Sequence, residues 1–167
     1  PNEVVTSVTA SFPAGTTNDT FGYEFTVGSQ DISVNALGIW NSSAGVGLVD
    51  SHDVGLWDAF GNLLTSVTIP SGNSSTLSAS GFWYEPIFGS LTLDANTTYV
   101  LGAKYPFTAP SIDTGVALAT TTSDPEITLG DARRTSSMTF DFPDVIVGGL
   151  NDGYFGPNMD YTVVPEP

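Results

Sequence analysis

The chain reads as all-β, and more closely as an antiparallel two-sheet β-sandwich of jelly-roll type. Three observations predict it. Short runs alternate apolar and polar side chains with period two, the pattern of strands buried on one face. Turn residues punctuate those runs, with 18 glycines and 11 prolines among abundant serine and threonine. No stretch sustains the 3.6-residue period of an amphipathic helix. A closed barrel is the alternative arrangement of the same strands. At 167 residues, 40% of them hydrophobic, the chain can bury one sizeable core. Residues 1–164 are assigned to a single domain and 165–167 to a segment beyond it.

Taken in order, Val4, Val8, Ala10 and Phe12 alternate with mostly polar neighbours until Pro13-Ala14-Gly15 stops the run. Phe21, Tyr23, Phe25 and Val27 turn one way, and Gly22, Glu24 and Thr26 the other. Ile32, Val34 and Ala36 repeat the pattern. The phase then slips at Leu37, Ile39 and Trp40, which predicts a β-bulge or a bend. Asn41–Asp53 is rich in glycine and serine and reads as a loop.

Val54–Ile69 is the clearest unit and the expected centre of the fold, two β-type runs around the tight reversal Asp58-Ala59-Phe60-Gly61-Asn62. Leu56 and Trp57 supply an apolar anchor before it. After it, Leu63, Val67 and Ile69 are expected on one face, and Ser66 and Thr68 on the other. Pro70–Ser80 reads as a polar loop. Phe82–Phe88 is apolar on both sides and is expected inside the fold, with Pro86 at a bulge or strand end. Leu91–Leu93 and Thr98–Ala103 flank the turn Asp94-Ala95-Asn96. Shorter strands are expected at Val116–Thr120, Ile127–Leu129 and Met138–Phe142, and a last one at Met159–Val164.

Charge narrows the function. Eighteen acidic residues face three basic ones, Lys104, Arg133 and Arg134, for a net charge of −15. Such a surface repels phosphate backbones and anionic lipids, which argues against a nucleic-acid partner or a membrane-surface role. It keeps an exported protein dispersed and leaves room for a divalent cation. With no cysteine, disulfides, thiol nucleophiles and zinc–thiolate sites are excluded. No apolar run approaches the roughly 18 residues of a membrane span and no signal peptide opens the sequence, so an exported protein would be represented by its mature part.

The ending Val163-Val164-Pro165-Glu166-Pro167 resembles the start of a PEP-CTERM sorting signal. In that bacterial family a hydrophobic span and a basic cluster follow the Pro-Glu-Pro motif, and an exosortase processes the exported protein. Phe25-Thr26-Val27, Gly55-Leu56-Trp57-Asp58, Gly61-Asn62-Leu63-Leu64, Phe82-Trp83, Leu93 and Thr98-Tyr99-Val100-Leu101-Gly102 are similar to uncharacterised extracellular β-sandwich domains. Such domains often carry that signal, and Tyr154-Phe155-Gly156-Pro157-Asn158 fits their closing segment. The resemblance implies a secreted or cell-surface matrix protein of a bacterium, with no catalytic residues attached.

Candidate sites are few. His52, the sole histidine, reads as an exposed loop residue beside Asp50 and Asp53, and no Gly-x-Ser-x-Gly elbow offers it a nucleophile. No spacing selects an acid–base pair for glycoside hydrolysis, so an enzyme is not expected. Calcium favours hard oxygen ligands, and Asp50 with Asp53, Asp141 with Asp144, and Asp152 in Asn151-Asp152-Gly153 are the clusters that would hold it. Trp40, Trp57, Trp83 and Tyr84 could stack on sugars; Trp57 and Trp83 read as core, leaving Trp40 as the candidate carbohydrate contact. Asn18, Asn41, Asn73 and Asn96 begin Asn-x-Ser/Thr sequons. The expected work is structural: self-association, including a filament formed by donating the Val4–Phe12 run to a neighbour, or association with exopolysaccharide. A carbohydrate-binding module, stabilised by calcium, is the alternative.

Overall fold

The computed structural model describes residues 2–8, 18–41, 46–106, 113, 121–135, 137–148 and 156–165, and among them thirteen strands and no helix. One sheet has five strands, in the order β1 (Asn2–Glu3), β13 (Pro157–Val163), β4 (Ile32–Trp40), β8 (Phe82–Leu93) and β7 (Thr76–Leu77). The other has six: β12 (Val145–Gly148), β11 (Ile127–Arg134), β3 (Thr20–Val27), β9 (Thr98–Lys104), β5 (His52–Asp58) and β6 (Leu63–Ile69). A two-stranded ribbon joins β10 (Thr121–Ser123) to β2 (Val5–Val8). Every pairing is antiparallel. Among the described residues no helix is long and apolar enough to cross a membrane.

The core lies between the two large sheets, and period-two alternation builds it. Phe21, Tyr23, Phe25 and Val27 of β3 are buried, as expected, and meet Ile32, Val34, Leu37 and Ile39 of β4 in one cluster. Leu56, Leu93 and Leu101 are fully buried within it. Each such side chain contributes about 1.5–3 kcal/mol by leaving water.

The expected phase slip in β4 is a bulge at Asn35. Its neighbours Val34 and Ala36 pair with Tyr161 and Asp160 on one side and with Leu91 and Pro86 on the other. On that second side, two steps of β4 span the same length as five of β8, from Pro86 to Leu91. The expectation for Pro86 is met. The excess chain carries Phe88 wholly into solvent, however, so Phe82–Phe88 is buried only at Phe82, Trp83 and Tyr84. Leu91–Leu93 continues the same strand.

The Val54–Ile69 hairpin forms with its turn at Asp58–Asn62. Asp58 Oδ1 accepts the Phe60 and Asn62 amides, each at 2.9 Å, and Gly61 takes φ +90°, a conformation costly for any other residue. The hairpin is not central. It closes one edge of the six-stranded sheet. A register shift between Leu56 and Trp57 moves Leu63 out of phase with Val67 and Ile69, and Leu63 is 51% exposed. Other expectations shift more. Of the expected Val4–Phe12 run, Val4 falls in the bend between β1, which pairs with β13, and β2, which starts at Val5 and pairs with β10. Met138–Phe142 forms no strand, and Pro70–Ser80 contains the short β7. Ala10, Phe12, Pro13–Gly15, Val116–Thr120, Tyr154, Phe155, Glu166 and Pro167 lie outside the described residues.

One buried amide fastens the N-terminal strands to β13. Asn158 Oδ1 accepts the Val5 amide at 3.0 Å, and its Nδ2 donates to the Val5 carbonyl at 2.8 Å. Asn158→Ala leaves that buried backbone pair without partners and is expected to cost about 1–3 kcal/mol, read as a lower denaturant midpoint with an unchanged slope.

Candidate functional site

Polar chemistry at the core boundary converges on His52. The alternation that buries Val54 and Leu56 extends back to the first residue of β5, so His52 turns inward and is 1% exposed. This corrects the reading of an exposed loop residue. Its Nδ1 lies 2.8 Å from the Lys104 carbonyl and its Nε2 2.8 Å from Asp113 Oδ2. Both ring nitrogens are thus engaged by oxygen atoms. Asp113 also accepts the amides of Val49 and Asp50, at 2.8 Å each. Burial pushes its carboxyl up, but the hydrogen bonds from His52, Asp50 and Val49 and the charge on the ring outweigh it and hold the carboxyl below its ordinary range. Tyr105 stands edge-on to the imidazole, ring centroids 5.3 Å apart. Burial first, and the Asp113 carboxylate second, push its hydroxyl well above the usual phenol range. The pair is a closed clamp that fixes Asp113 to the start of β5. Both ring nitrogens of His52 are taken up within it.

No family model, curated protein or solved structure matches the chain.

Four of the five expected calcium ligands are described. Asp53 accepts the Thr68 hydroxyl at 2.6 Å on the hairpin, and Asp50 is held through its own amide by Asp113. Asp141 and Asp144 are exposed, with Asp141 Oδ1 accepting the Phe142 amide at 2.9 Å. Asp152 lies outside the described residues. Among the described residues no group of three or more His, Asp or Glu side chains is placed to hold an ion.

Of the tryptophans, Trp83 is core as expected, and Trp40 is half-buried, packed on the core with its indole edge over Gly81. Trp57 is buried, but on the far side of the six-stranded sheet. Gly22, Gly102 and Gly55 are cross-strand neighbours, a row without side chains. A Cβ at Gly55 would fall 2.5 Å from the Trp57 ring, and one at Gly102 3.1 Å from it. The indole therefore fills the space that the glycines leave. Residues 137–144 cover it as a strap, with Phe140 and Phe142 at ring distances of 5.3 and 6.2 Å. Two of the three basic side chains hold the strap. Lys104 Nζ donates to the Met138 carbonyl at 2.5 Å. Arg133 lies 5.6 Å over the Phe142 ring while its Nε donates to Glu24 at 2.9 Å. Of the sequon asparagines, Asn41 is buried and donates to the Gly47 carbonyl at 2.8 Å, whereas Asn73 and Asn96 are exposed.

The sequence reading missed the Asp113 clamp and the glycine row. The first had one local signal, the period linking His52 to Val54 and Leu56. The second required knowing which glycines are neighbours across strands.

Proposed function

We propose that this chain is an exported, non-enzymatic surface or extracellular-matrix protein of a bacterium, sorted through a PEP-CTERM signal by an exosortase and working by self-association or by contact with exopolysaccharide. The observation that supports it most is the closed His52–Asp113 clamp. The one histidine is engaged in holding the fold. Pro165, the first residue of the proposed motif, is exposed two residues beyond the end of β13. Jelly-roll connectivity belongs to the same proposal, supported by a chain that passes repeatedly between two antiparallel sheets. The test is location: an antibody against this chain, applied to host cell fractions, should find it in envelope and matrix. A predominantly cytosolic pool would overturn the reading.

A further inference from the structure

Two reversals of the chain meet at one end of the molecule. Asp58 of β5 is the cross-strand partner of Tyr99 of β9, so the hairpin turn Asp58–Asn62 stands beside the turn that joins β8 to β9. Between them lies a groove of about 580 Å³, lined by both turns and by the end of β8. That volume is in the range of small-molecule sites. Leu93 and Tyr99, both buried, form its base, and Phe60, 91% exposed, stands along its side.

Both turns are fixed from within. Asp58 Oδ1 holds the Phe60 amide, and its Oδ2 accepts the Asn62 side-chain amide at 2.7 Å. In the other turn the Asn96 amide donates to the Gly28 carbonyl at 2.8 Å, and the Ala95 amide to Asp31 Oδ1 at 2.8 Å. An aromatic ring held in water adds little to the stability of the fold. Held on a rigid turn, it is ready to stack on a ligand with little ordering left to lose. Asp94 and Asn96 are exposed on the same groove. Their backbone amides are engaged, but among the described residues their side chains make no hydrogen bond. The carboxylate offers acceptors alone, and the amide offers both donors and an acceptor.

These features choose between occupants. An apolar segment pressed on Phe60 would cover the Asp94 carboxylate and the Asn96 amide without satisfying them. A polyanion would meet Asp58 and Asp94, with no basic residue in the lining, on a chain of net charge −15. A neutral sugar ring suits both parts of the groove. Its C–H face stacks on an aromatic ring, and its hydroxyls both donate and accept. We propose that this groove binds a neutral, hydroxyl-rich glycan, one sugar ring lying on Phe60 with its hydroxyls bonded to Asp94 and Asn96. The inference rests on the exopolysaccharide reading above. It is measured on the purified chain, so binding can fail while the location result stands, and the reverse.

Native gels cast with dextran, mannan, mixed-linkage β-glucan or galactan test it, beside plain gels and gels holding alginate, a polyuronate. At least one neutral polymer should retard the unaltered chain, and alginate should not. Phe60→Ala should run as in a plain gel, whereas Phe60→Tyr, which keeps the ring, should still be retarded. Asp94→Ala and Asn96→Gly should each weaken the affinity about tenfold, as loss of a central contact does. Glycine is chosen at 96 because it accepts the φ of +56° found there. No retardation by any of the four neutral polymers would overturn the proposal. So would retardation that survives Phe60→Ala, or equal retardation by alginate. A dimer of the unaltered chain in sedimentation velocity that Phe60→Ala dissolves would give the groove to a second copy and overturn it as well.

Discussion

Asp113→Ala is expected to lower the unfolding free energy by about 3–5 kcal/mol, the range for breaking a buried charge pair from one side. The substitution strands a His52 ring that is 1% exposed, together with the Val49 and Asp50 amides. The pH dependence has a definite sign. A carboxyl held below its unfolded value stabilises the fold above that value, about 4, and the contribution is lost as pH falls through the lower folded value. Asp113→Asn removes the charge while keeping one acceptor oxygen. It should therefore unfold more easily than the unaltered chain at pH 6, with the difference shrinking toward pH 2. Equal midpoints at pH 6 in a urea titration would show that the clamp does not hold the fold.

Trp57→Ala should cost about 3–5 kcal/mol, comparable to emptying a core site, although Trp57 lies outside the space between the sheets. The indole is 3% exposed, and its removal opens a hollow over Gly55 and Gly102 that the main chain cannot fill. Phe140 and Phe142 lose their shared partner, so residues 137–144 should become a site of rapid proteolysis while the sheets stay paired. Trp57→Phe, which keeps a ring on the glycine row, should recover much of the loss. A cleavage pattern unchanged in Trp57→Ala would mean that Arg133 and Lys104 alone secure the strap.

Local pattern carried the fold class. In β3 the alternation from Tyr23 to Val27 is burial itself, and Asp58, Gly61 and Asn62 mark a turn because their backbone chemistry is a property of those residues. The site was harder to read because its partners are distant: His52 and Asp113 are 61 residues apart, and no local period links them. The Gly- and Ser-rich stretch before His52 suggested loop, yet β5 begins at His52 itself. Thr139-Phe140-Asp141-Phe142 alternates as a strand would, but its aromatic side chains cover the face of a sheet instead of extending one. Leu63 was misplaced by a single register shift, which reverses every face beyond it.

The position of β13 governs how the molecule would bear a pull. The strand is gripped by β4 through seven paired positions on one side and by β1 on the other. Tension entering at Pro165 would run along the strand axis, across the ladder of backbone bonds. Those bonds must then give way together, not one after another as at an unzipping hairpin. Drawn by this end, the domain would resist as a shear joint.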